Sequence, residues 1–187
     1  DLVELEQGWQ TVFKAVQVNR VVSGQPQAHP LTLRAQPCLE ERWQWDGVNF
    51  QRWQWKQAKD SNQKSCVLLI EAQGERLLLT GDLDAAGEAA LLTDWPALKV
   101  NWLVVGHHGS RTSTSKRFVQ QVAPQYALIS RGKHSSYGHP HPQVLMHLQE
   151  QQVQIYDTAL DKAIRVNLGT YQAPWTMAQQ VRFWRRK

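Results

Sequence analysis

Asp82, the pair His107-His108, and His139 with His141 are the residues here whose types could gather a divalent cation. Each stands just past a short apolar run: LLLTGDLD over 77–84, WLVVGHHGSRTSTS over 102–115, YALISRGKHSSYGHPHP over 126–142. Apolar runs that stop at glycine or a small polar residue and then present carboxylate, imidazole or hydroxyl groups have the layout of a site at the ends of core strands. A carboxylate in the place of Asp82 can bridge two divalent ions, since its two oxygens reach both; its other use there is to cap the helix that follows. Successive strand side chains point to opposite faces, so only one of His107 and His108 is expected to face a cation, leaving the other to support it or to meet a phosphate. Pro140 and Pro142 stiffen the loop that carries His139 and His141, and one of these two imidazoles is expected as a ligand.

Hydroxyls surround the same loops. Ser110, Thr112, Ser113, Thr114 and Ser115 crowd the start of a predicted helix, more than capping requires, which suits them to a phosphodiester. Arg131, Lys133 and His134 read either as phosphate contacts or as a solvated loop, and His29 and His147 as surface residues.

The elements that must position these groups follow from periodicity. Leu5, Trp9, Val12, Phe13 and Val16 predict a helix over Glu4–Val16, followed by a strand over Val18–Val22 and a loop to Pro37 that a short strand at Leu31–Leu33 crosses. Asp46-Gly47 marks a hairpin within Arg42–Trp55, where the apolar parity slips between Phe50 and Trp53: a bulge, or a strand buried on both faces. Its four tryptophans suit core and cross-strand packing, with base stacking as the other use. A second hairpin joins Cys66–Ile70 to Arg76–Leu79 across Gln73-Gly74. Helices are predicted over Ala85–Thr93, Ser115–Val122 and Pro142–Glu150, and strands over Trp102–Val105, Tyr126–Ser130, Val153–Asp157 and Ala163–Leu168. From Tyr171 the periodicity ends. Hairpins first and strand–helix alternation afterwards predict an α/β sandwich with helices outside.

At 187 residues, 42% apolar and 20% charged, the chain is of the soluble globular kind, and the length predicts one domain. No apolar run approaches the roughly 18 residues of a membrane span, and the opening residues lack the pattern of a signal peptide. Four of the five net positive charges sit in Arg182-Phe-Trp-Arg-Arg-Lys187, a tail able to meet DNA or an anionic membrane surface, or simply to stay solvated. Cys38 and Cys66 allow a single pairing: buried thiols in a reducing compartment, or a bridge worth roughly 3 kcal/mol in an oxidising one.

Taken in order, Trp-Gln-Trp-Asp-Gly-Val-Asn-Phe (43–50), Asn62-x-x-Ser-Cys-Val-Leu, Leu-Leu-Thr-Gly-Asp (78–82), Gly-His-His-Gly-Ser-x-Thr-Ser (106–113) and Tyr-Gly-His-Pro-His-Pro (137–142) carry a family likeness. Over about residues 36–168 the chain resembles the C-terminal metallo-β-lactamase-like domain of the ComEC family of DNA internalisation proteins. That resemblance implies an αββα sandwich over residues 1–170, with 171–187 as a tail. It implies a divalent-metal hydrolase that degrades the non-transported strand of DNA, using two ions, manganese or zinc, or else magnesium. Asp82 would bridge them, with His107 and His139 as ligands and His108 as the alternate for His107. It also implies a periplasmic or outer-face location, a membrane channel domain in the same polypeptide, and hence a Cys38–Cys66 bridge. A non-catalytic DNA-guiding module with a vestigial metal site is the other expectation. The superfamily motif His-x-His-x-Asp-His has no counterpart in the sequence, so the chain reads as the C-terminal portion of that domain.

Overall fold

The computed structural model describes Ala15 and residues 17–26, 35–133 and 137–179. The predicted helix Glu4–Val16 (Ala15 excepted), the strand at Leu31–Leu33, His29, His134 and the basic tail lie outside the described residues.

Asp46 and Gly47 both take positive φ, 49° and 75°, the left-handed pair that lets a two-residue turn follow the twist of its strands. They join β3 (Glu41–Trp45) to β4 (Val48–Trp53). Gln73 and Gly74 do the same between β5 (Val67–Ala72) and β6 (Glu75–Leu79). The register through β4 is continuous, so the parity slip marks burial on both faces and no bulge. Phe50 stacks on Trp43 at 5.1 Å on one side; Trp53 is buried on the other, its Nε1 donating to Asp94 at 2.7 Å.

Beyond β6 come α1 (Ala85–Asp94), β7 (Trp102–Val104), α2 (Lys116–Val122), β8 (Tyr126–Ile129), α3 (Pro142–Glu150) and β9 (Gln154–Asp157). The seven strands β3 to β9 lie side by side in sequence order, antiparallel up to β6 and parallel from β6 to β9. Right-handed crossovers in an unbroken order put every connecting helix on one face. The packing agrees. Leu78 and Leu103 meet Leu91, Leu92, Phe118 and Val122, while Ala127 and Ile129 meet Val119, Val144 and Leu148. Each such buried side chain contributes roughly 1.5–3 kcal/mol.

On the opposite face Trp102, Tyr126 and Tyr156 pack beneath Ile164, Val166 and Leu168. Toward β3 that face carries the cross-strand row Trp43, Phe50, Ile70 and Leu77, half-buried or exposed, with Trp45 74% exposed beside it. The α/β expectation holds; the described residues form a seven-stranded sheet with the connecting helices on one side.

Two expectations change. The strand predicted over Val18–Val22 is reduced to β1 (Val22–Ser23), paired in parallel with β2 (Gln36–Pro37). Of Ala163–Leu168 only β10 (Ile164–Arg165) pairs, antiparallel to β11 (Trp175–Thr176), because Val166 and Leu168 pack on the aromatic face instead of extending a ladder. Strand pairing therefore continues as far as Trp175–Thr176. Glu75, 1% exposed, pins this return: it accepts from Trp102 Nε1 at 2.6 Å and from the Gly169 and Tyr171 amides at 2.7 and 3.0 Å. Cys38 and Cys66 are bridged, with Cα atoms 5.8 Å apart, tying the lead-in of β3 to that of β5.

Candidate active site

Because β6, β7 and β8 are parallel neighbours, their carboxyl ends fall on one edge, and the three loops that carry Asp82, His107-His108 and His139 leave from it. Backbone contacts join them. The His107 amide donates to Gly81 O at 3.0 Å, and the His141 amide to Gly109 O at 2.8 Å. Gly109, at φ +87°, lets Pro140 in so close that a β-carbon there would sit 2.6 Å from Pro140 Cβ.

Asp82 is half-buried, and its amide donates to Ser65 Oγ at 2.9 Å. It is not the cap of α1. Asp84 takes that place, accepting from the Gly87 amide at 2.8 Å, which leaves Asp82 on the rim. Gly87, a flaw by helix propensity, is required by packing: a β-carbon there would meet Leu83 Cδ1 at 2.3 Å.

The strand argument for the histidine pair gives way to a tighter device. Gly106–Gly109 is a tight turn in which His107 and His108 both hold positive φ, 49° and 56°. Such a conformation costs a non-glycine residue about 1–3 kcal/mol and persists only where the surroundings enforce it. The turn sends the rings apart, His107 half-buried and His108 exposed, with centroids 6.4 Å apart. His107 Nδ1 is buried with no hydrogen-bond partner among the described residues, and its ring lies 6.0 Å from that of His139. His108 Nδ1 lies 2.7 Å from Ser130 O; a carbonyl only accepts, so in the neutral ring Nδ1 carries the proton and Nε2 presents a lone pair. Burial, and then coupling to the nearby imidazoles of His107, His108 and His141, lower the His139 pKa and favour its neutral imidazole. His141 caps α3, Nδ1 accepting from the Gln143 amide at 3.2 Å.

The phosphate set divides. Thr112 is exposed, whereas Ser110 beside it is buried, their hydroxyls 3.1 Å apart. Ser113 is 2% exposed, and its hydroxyl is buried without a hydrogen-bond partner among the described residues. Ser115 caps α2, accepting from the Phe118 amide. Arg131 is paired with Asp157 at 2.7 Å, so its charge is neutralised within the fold, whereas Lys133 is exposed. His147 is also corrected, from surface residue to a buried one whose Nδ1 lies 3.0 Å from Thr114 O. Glu88 was missed altogether. Its signal was a charged residue three and four positions before Leu91 and Leu92, on the stripe that α1 buries.

Can these groups hold metal? The loops converge and His107 has an orphaned nitrogen, but among the described residues no group of three or more His, Cys, Asp or Glu could hold an ion. The donors present do not fit a complete metal site by themselves.

A family model described as the metallo-β-lactamase superfamily matches residues 4–134. Competence protein ComA of Neisseria gonorrhoeae is 39% identical over 165 residues, covering 87% of this chain and 23% of that protein. ComE operon protein 3 of Bacillus subtilis (strain 168) is 43% identical over 97 residues, 52% of this chain and 12% of that protein. Recombination protein 2 of Haemophilus influenzae is 35% identical over 127 residues, 67% of this chain and 16% of that protein. The chain thus spans less than a quarter of the length of these relatives.

Proposed function

Since this chain belongs to the metallo-β-lactamase superfamily, we propose that it is the DNA-hydrolysing domain of a ComEC-like DNA uptake protein, degrading the strand that is not transported. The convergence of the three loops on one sheet edge, with His107 and His139 6.0 Å apart, carries this reading. The likeness to relatives named for competence and recombination supports DNA as the substrate, and their greater length leaves room for a membrane channel domain in the same polypeptide. Among the described residues no helix is long and apolar enough to cross a membrane. The Cys38–Cys66 bridge suits an oxidising compartment, the periplasm or the outer face of the cytoplasmic membrane.

The superfamily generally binds divalent metals, which act as Lewis acids when bound. With the donor set incomplete, no step is derived through such an ion. This chain's own groups would act as follows. His108, fixed in one tautomer by Ser130, offers Nε2 to take a proton from attacking water. Thr112 and Lys133, both exposed, would engage phosphate oxygens. Asp82, His107 and His139 are the proposed ligands.

The lack of a three-donor group among the described residues favours a second reading, a DNA-guiding module without catalysis. One experiment separates them: cleavage of end-labelled single- and double-stranded DNA, with and without manganese, zinc or chelator, alongside metal analysis and the Asp82→Ala variant. Metal-dependent cleavage lost in that variant supports hydrolysis; DNA binding without cleavage under every condition supports guiding.

A further inference from the structure

The histidine turn is held from beneath by a carboxylate that the chemistry above does not use. Glu88, on α1, is 1% exposed. Its Oε1 accepts from the Thr114 amide and its Oε2 from the Ser115 amide, the latter at 2.9 Å. A helix start needs no buried charge for this purpose, and Ser115 already caps α2 with its own hydroxyl. Burying a carboxylate with only neutral donors around it is costly, and a glutamine would carry no such cost. Burial does raise the Glu88 pKa, against the opposing pull of hydrogen bonds from Ser115 and Thr114.

What the carboxylate holds is Thr114. This residue is 1% exposed and sits at φ +55°, where a β-branched side chain is strained. Every polar group of Thr114 is engaged: the amide by Glu88, Oγ1 by the Gly106 amide at 3.2 Å, the carbonyl by His147 Nδ1 at 3.0 Å. Gly106 opens the turn that presents His107 and His108. A β-carbon on it would lie 3.2 Å from Thr80 Oγ1 and 3.3 Å from Ser113 Cβ, so the turn is seated without slack. The chain of contacts therefore runs from α1 through Thr114 to Gly106, and α3 joins it through His147.

We infer that Glu88 is a positioning residue for the His107-His108 turn, acting through Thr114. A neutral glutamine presents one acceptor and one donor where two amides both donate, so one of the two bonds must be lost. Thr114 then relaxes from its left-handed conformation and releases Gly106. That this positioning serves hydrolysis rests on the proposed function; that it orders the histidines does not.

The test is Glu88→Gln, read by nitrogen–proton NMR of the histidine rings and by DNA hydrolysis. The expected result is a folded protein in which the His108 Nδ1–H signal bonded to Ser130 is lost or broadened. Turnover falls about 100-fold with KM little changed, the scale of a displaced catalytic group. A stabilising brace alone would lower the melting temperature and leave the ring signals in place. Ring signals that superimpose on those of the parent overturn the inference, whatever happens to stability. Should the glutamine variant not fold, Glu88→Asp keeps the charge but is one methylene too short to reach both amides, and unchanged rings there overturn it equally. If the parent cleaves no DNA and the rings still move in the variant, the hydrolytic reading fails and the positioning role stands.

Discussion

Gly109→Ala should do more damage than any other single-methyl addition at the site, and the structure gives the reason in two parts. Gly109 holds φ +87°, a conformation that costs an L-residue about 1–2 kcal/mol. The new carbon would also lie 2.6 Å from Pro140 Cβ and 2.9 Å from Pro140 Cα, contacts that only movement of the His139–His141 loop relieves. Overpacking of that kind costs typically about 1–3 kcal/mol more. The sum, about 2–5 kcal/mol, corresponds to a fall in melting temperature of roughly 4–20 °C for a chain of this length. Gly47→Ala is the control. Gly47 has a comparable φ of +75° with nothing within 4 Å, so only the conformational cost applies. Thermal unfolding of both variants by circular dichroism, with DNA cleavage measured below the transition, isolates the clash. Gly109→Ala should melt lower than Gly47→Ala and lose cleavage, while Gly47→Ala keeps it. Equal melting temperatures would show that Pro140 does not pack on Gly109 and that the two histidine loops are not locked together.

Other outcomes follow from single contacts. Reducing Cys38–Cys66, or replacing both cysteines by serine, opens a link between residues 28 apart and should cost about 3–4 kcal/mol, read as a lower urea midpoint. Glu88 has a native pKa raised above the ordinary 4.5. Its contribution to stability is complete below the unfolded carboxyl pKa and is lost as pH rises through the native one, so urea midpoints should fall across that window and Glu88→Gln should lack the fall. Arg131→Ala leaves Asp157 largely buried and unpaired and should cost about 3–5 kcal/mol with little effect on DNA affinity; Lys133→Ala should weaken DNA binding and its salt dependence without destabilising the fold.

The hairpins were legible because Asp46-Gly47 and Gln73-Gly74 are local signals that act through backbone conformation alone. That the loops carrying Asp82, His107 and His139 leave one sheet edge was legible too, since apolar runs ending in chemistry-bearing residues imply parallel strands with a common edge. What could not be read was anything decided by a long-range partner. Asp82 and Asp84 are equally good caps in sequence, and only the Gly87 amide selects Asp84. Ser113 and Thr112 are alike as hydroxyls, and only the packing around Gly106 sends one inward. His147 reads as a surface residue in the sequence, yet it is buried and aimed at a carbonyl 33 residues away.

The order of the large sheet bears on how the molecule can be made. Each strand from β4 to β9 pairs with the one synthesised just before it, so none must wait for a later segment to slot between two earlier ones. A growing edge of this kind can be laid down as the polypeptide emerges, hairpins first and crossovers after, and a nascent chain threading out of a narrow exit would never need to retract in order to complete a ladder.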